Sequence, residues 1–103
     1  MRIIIDSAVH EAIAEFYRYA LDNHLSLSYE TVEAKKERLY EAIDSLRDYY
    51  RIYPTARLKR EWVEKGWYEF ICEDFHFAYA YGRDTFGEMV IYVYDAVHSL
   101  NYR

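Results

Sequence analysis

His98 and Tyr102, beyond the last apolar run of the chain, bring together two side chains that can exchange protons. An imidazole and a phenol at one edge of a fold can act as general base and general acid on an RNA backbone, with the 2′-hydroxyl as nucleophile and a guanidinium stabilising the phosphorane. The competing reading is a frayed terminus in which His98 merely caps the sheet. Arg57, Lys59 and Arg60 are the concentrated cations. They suit a phosphate or an acidic partner, or else they form a solvated stretch with Glu61 and Glu64 as local partners. Tyr40, Tyr49, Tyr50, Tyr53, Trp62 and Trp67 gather around the same region, and they read equally as anchors for a protein partner or as paving of an internal groove. His76 and His98, with Glu69 or Glu73, lack the short spacing of a metal site, and there is no Gly-rich phosphate loop, so neither a metal nor a cofactor is expected. Cys72 alternates with Phe70 and reads as a small core residue with no base beside it.

The chain that must position these groups has 103 residues, of which 52% are hydrophobic, with three Gly and one Pro. That is one domain, residues 1–103, with a single core, and it excludes disordered and low-complexity classes. Aromatic residues make up 19% and include 13 Tyr, more than such a core uses, so some of the Tyr must face a surface or a partner. Thirteen Lys and Arg against 18 Asp and Glu leave a net charge of −5, which disfavours unaided nucleic-acid binding. A lone cysteine rules out an internal disulfide, and no apolar run approaches the roughly 18 residues of a membrane span. Arg2 to Asp6 is too short for the apolar stretch of a signal peptide. The expectation is a cytoplasmic protein with no membrane partner.

Period and punctuation then give the elements. Arg2 to Asp6 is a β-branched run that reads as a short strand leading straight into a helix cap at Asp6 and Ser7. Val9, Ile13, Phe16 and Ala20 fall at three- and four-residue steps and predict an amphipathic helix to about Asp22. Ser26 and Ser28 compete to cap a second helix carrying Val32, Leu39, Ile43, Leu46, Tyr50 and Tyr53 on one face, which stops at Pro54 and forms an antiparallel hairpin with the first. Arg57 to Glu64 reads as a loop or a weak strand. Trp67 to Cys72, Phe75 to Tyr81 and Met89 to Tyr94 read as an antiparallel meander. In its middle strand Phe75, Phe77, Tyr79 and Tyr81 share one face, which is expected to pack under the helices. The fold class is therefore α+β, with a β-α-α-β-β-β order and a helical hairpin on a small antiparallel sheet.

That order, together with several short motifs, resembles the RelE/ParE superfamily of bacterial toxins. Tyr53-Pro54-Thr55-Ala56-Arg57 with Glu61 is similar to the family's apolar-Pro-x-x-Gly-Arg…Glu link, with Ala56 in place of Gly. Phe75-His76-Phe77-Ala78-Tyr79 is similar to its Tyr-Arg-apolar-apolar-Tyr strand, Val90 to His98 to its last strand ending in His, and Arg103 stands near its final Arg. The resemblance implies a plasmid-stabilisation-like toxin of a type II toxin–antitoxin system, with a cognate antitoxin as partner and the ribosome or DNA gyrase as target. It carries over His98, Tyr102, Arg57 and Glu69 as the catalytic set if the protein is a ribosome-dependent mRNA endonuclease. The binding candidates are Arg57, Lys59, Arg60, Trp62, Trp67 and His76, of which Arg57 also matches a family motif. Where that nuclease branch places permanent cations on the strands, this chain has Glu69, Ile71 and His76, which points instead to a ParE-like toxin that binds a protein target such as DNA gyrase. A non-toxic interaction module of the same fold is the third reading, and an exposed sheet edge admits a homodimer.

Overall fold

Asp6 begins the helical layer, its carboxylate accepting from the Ala8 amide at 2.9 Å. In the computed structural model, which describes residues 1–24 and 27–102, it joins β1 (Arg2–Ile5) to α1 (Ser7–Asn23). Ser28 caps α2 (Tyr29–Asp44) by accepting from the Thr31 amide at 3.1 Å, whereas Ser26 lies outside the described residues, as does Arg103. A short α3 (Leu46–Tyr49) follows, then α4 (Arg60–Lys65), β2 (Tyr68–Cys72), β3 (Phe75–Arg83) and β4 (Met89–His98). Together they make a single α+β domain. Among the described residues no helix is long and apolar enough to cross a membrane.

Three expectations are corrected. The sheet is mixed rather than antiparallel: its order is β1-β4-β3-β2, and β1 runs parallel to β4. The second helix does not run unbroken to Tyr53. It is interrupted at Ser45, whose hydroxyl turns back onto the Ala42 carbonyl at 2.6 Å, a bond that bends helices, and the helical turns end at Tyr49. Residues 57–64 are neither loop nor strand throughout, because they contain most of α4.

The hairpin buries Val9, Ile13 and Tyr17 of α1 and Val32, Leu39 and Ile43 of α2 against Phe75, Phe77 and Tyr79, the large face of β3. Buried large side chains of this kind stabilise by about 1.5–3 kcal/mol each. Tyr79 adds a polar anchor: its phenol donates to the Tyr50 carbonyl at 2.6 Å, inside the core. The β2–β3 turn is strained. Glu73 and Asp74 hold φ of 49° and 66°, a left-handed pair that ordinarily takes Asn-Gly. Glu73 is held from the helical side by Arg38 at 2.7 Å and Lys35 at 3.6 Å, and the Arg38 hydrogen bond keeps its carboxyl below the usual range.

Replacing Tyr79 with Phe strands the buried Tyr50 carbonyl and is expected to cost about 1–3 kcal/mol in urea unfolding, whereas Tyr92→Phe, on the other face of the sheet, is expected to change stability by less than about 0.5 kcal/mol.

Candidate functional site

The face of the sheet away from the helical hairpin carries Glu69 of β2, His76 and Ala78 of β3 and Asp95 of β4, brought into neighbouring rows by the strand register. Its cover is α4. That helix is only one turn and a half long, braced by an Arg60–Glu64 pair at 3.0 Å and closed by Gly66, whose φ of 68° lets its amide return to the carbonyls of the last turn. From α4 the fully buried Trp62 drops onto Ala78 and Ala56, and its indole N–H donates to Asp95 Oδ2 at 3.0 Å.

Beside Trp62 lies a hydrogen-bonded cluster built on Glu69. Tyr102 donates to Glu69 Oε1 at 2.7 Å, and His76 Nδ1 lies 2.9 Å from Oε2. His76 Nε2 is 3.1 Å from Ser99 Oγ, which in turn donates to the Asp74 carbonyl at 2.8 Å. Because that carbonyl takes the only proton of Ser99, His76 Nε2 must be the donor to Ser99. The Tyr102 ring rests on His76, with centroids 3.8 Å apart, and stands edge-on to Trp62 at 5.9 Å. Burial first, and the bond to Glu69 second, push the Tyr102 phenol up to about 12.

An open cavity of about 390 Å³ borders this cluster along β2. Glu69, Tyr102 and Arg57 line it together with an apolar floor of Tyr53, Leu58, Phe70 and Ile71. Leu58 is 80% and Ile71 61% exposed, so the rim offers apolar surface to solvent next to a guanidinium. Lys59 sits at the start of α4 with its ammonium 5.8 Å from the Trp62 ring, and Arg60 points outward to Glu64. Trp67 is stacked on Tyr94 at 4.6 Å, and the Lys65 ammonium lies 4.9 Å from its ring. Of the two tryptophans among the six aromatics read as anchors or paving, Trp62 is internal, and Trp67 keeps part of its surface.

The structure thus brings Arg57, Glu69 and Tyr102 to one cavity and does not bring His98 there. His98 pairs with Phe75 across the ladder and so faces the helices, stacked on Phe16 at 3.7 Å and edge-on to Phe75 at 5.2 Å. It borders a separate groove between α1 and β4. Its Nδ1 accepts from the Leu100 amide at 3.1 Å. Burial lowers its pKa from 6.5, aided by His76 and Lys35 and opposed by Asp74. The histidine at Glu69 is His76. Sequence reasoning missed Asp95, Ser99, Leu58 and Ile71 as participants. Asp95 alone left a signal, a single carboxylate between Tyr94 and Ala96 in an apolar strand, which asks for a buried donor. No protein-family model matches the chain, and no curated protein does.

Two pH dependences follow from these environments. Tyr102 keeps its proton where an unfolded tyrosine, near 10.0, has lost it, so its contribution to stability is intact below 10.0 and disappears as pH rises toward about 12. Urea unfolding across that interval is expected to show a smaller loss for Tyr102→Phe than for the wild type. For His98 the sign is opposite: the neutral ring is favoured in the fold, so its contribution is present above 6.5 and declines as pH falls through the lower folded value. Thermal melts from neutral pH downward are expected to fall less steeply for His98→Phe than for the wild type.

Proposed function

We infer that the protein is a RelE/ParE-like toxin that acts by binding a protein target, with the cavity along β2 as its contact surface. The observation that carries this reading is the closed hydrogen bonding at Glu69. Both nitrogens of His76, both oxygens of Glu69 and the Tyr102 hydroxyl are engaged with one another or with Ser99, which leaves the cluster bracing the C-terminal segment rather than presenting an acid and a base to a phosphate. Beside it, exposed Leu58 and Ile71 with Arg57 have the make-up of a binding patch, apolar anchors flanked by a cation. The target this supports is a protein such as DNA gyrase, with a cognate antitoxin covering the same patch in the resting state.

A second reading is favoured by one observation, the convergence of Arg57, Glu69 and Tyr102 on one cavity with His76 bonded to the same carboxylate. In a ribosome-dependent mRNA endonuclease, His76 and Tyr102 would move the protons and Arg57 would stabilise the phosphorane, after the His76–Ser99 bond opened.

Growth after tightly induced expression separates the two. With target binding, wild type and Tyr102→Phe both arrest growth, Leu58→Asp with Ile71→Asp restores it at unchanged protein level, and DNA supercoiling is inhibited in vitro. Loss of arrest in Tyr102→Phe together with loss of mRNA cleavage on translating ribosomes would establish the nuclease instead. Soluble wild-type protein that leaves growth unaffected would remove both readings and leave a non-toxic interaction module.

A further inference from the structure

The two edges of the sheet are treated differently. Along β2 the chain covers its own edge: the Glu69 amide donates to the Pro54 carbonyl at 3.0 Å, the Ala56 amide donates to the Trp67 carbonyl at 2.8 Å, and Thr55 bridges to Tyr68. Along β1 the described residues form no such strap. The Asp6 amide reaches across to the Val93 carbonyl, so residues 2, 4 and 6 turn their backbone groups inward to β4, and Ile3 and Ile5 turn theirs outward. Among the described residues these outward groups have no backbone or side-chain partner. The nearest cover, the Arg47 guanidinium on the Met1 carbonyl, stops short of Ile3. An open run of Ile3, Ile4 and Ile5 is the kind of edge that recruits another strand.

The sequence of this edge is complementary to itself. Set antiparallel about a two-fold axis through Ile4, Ile3 of one copy meets Ile5 of the other in hydrogen-bonded positions, so every outward N–H and C=O of both residues is satisfied. In the same register Arg2 meets Asp6 at the closer, non-hydrogen-bonded positions, at about 4.5 Å between Cα atoms, on the same face as the paired Ile4 side chains. Arg2 and Asp6 are both exposed, and Ile4 is 39% exposed. Asp6 gives one oxygen to the Ala8 amide and has the other free for a guanidinium. A shift by one residue would break the charge pairing and set the outward backbone groups of Ile3 and Ile5 opposite residues whose own groups turn inward to β4.

We propose that β1 is a homodimer interface: two copies join edge to edge in the register that pairs Arg2 with Asp6, merging their four-stranded sheets into one continuous sheet. This does not depend on the reading of the β2 cavity, which lies at the opposite edge.

Sedimentation equilibrium of the full chain is the test. The wild type is expected at twice the 12.5 kDa chain mass, with the Ile3 and Ile5 amides protected from hydrogen exchange only at dimer-forming concentrations. Ile4→Lys, which places two ammonium groups on the axis at a position exposed in the single chain, is expected to weaken association at least tenfold with an unchanged circular dichroism spectrum. Arg2→Asp and Asp6→Arg are each expected to be monomeric alone and to form a mixed dimer when combined, since each supplies the charge the other lacks. A wild type that stays monomeric, a dimer indifferent to Ile4→Lys, or Ile3 and Ile5 amides protected only after a different protein is added would each overturn the proposal.

Discussion

A single unpaired residue in β4 sets which side chains meet on each side of the sheet. Val93 pairs with Tyr79 and Asp95 with Ala78, so Tyr94 is an extra residue bulged out of the ladder. Before it, odd-numbered residues of β4 face the helices, as buried Ile91 and Val93 do; after it, Ala96 and His98 face them. Without the bulge, His98 would stand on the same face as Glu69, and Asp95 would point into the apolar core. With it, Asp95 lies under the Trp62 indole, and His98 turns in to stack on Phe16. One residue of register in β4 thus keeps His98 off the face where the β2–β3 pairing sets His76 beside Glu69.

That placement also explains how a short chain covers both faces of its sheet. The helical hairpin takes the side of Phe75, Phe77 and Tyr79, and nothing of comparable length remains for the other. There α4 supplies one fully buried Trp62, and the segment after β4 supplies Tyr102. Two aromatic side chains of this size bury an area that many smaller residues would otherwise have to provide, provided that each polar tip is satisfied. Asp95 accepts from the indole and Glu69 from the phenol. The carboxylates on this face are therefore acceptors for the cover as much as groups with chemistry of their own, which is why the cluster at Glu69 is closed.

Local signals carried most of the elements. Asp6 and Ser28 marked helix starts by their capping oxygens, the three- and four-residue spacing marked α1 and α2, and alternation in Phe75 to Tyr81 gave the buried face correctly. The break at Ser45 was hidden because Ile43, Leu46 and Tyr50 keep helical spacing across it. α4 was hidden because one buried residue in six establishes no period; the legible trace was Gly66, placed where a helix needs a left-handed end. The parallel pairing of β1 with β4 joins residues far apart in the chain, and no local pattern encodes it. Of the candidate site, a family resemblance singled out Arg57, Glu69 and Tyr102, which line one cavity, but the side taken by His98 was not legible, since a bulge leaves alternation looking intact over the few residues on either side of it.

The turn at Glu73 and Asp74 ties these layers together. Two non-glycine residues with positive φ cost free energy that an Asn-Gly turn would avoid, so the conformation must be held from outside. Arg38 and Lys35 of α2 hold Glu73 from the helical side. Ser99 holds Asp74 from the other side, with its amide and its hydroxyl both on the Asp74 carbonyl at 2.7 and 2.8 Å. The same Ser99 oxygen accepts from His76, which faces Glu69, which accepts from Tyr102 at the wall of the cavity. A strained turn is thus a link between the helical hairpin and the C-terminal segment, whose Tyr102 walls the cavity along β2.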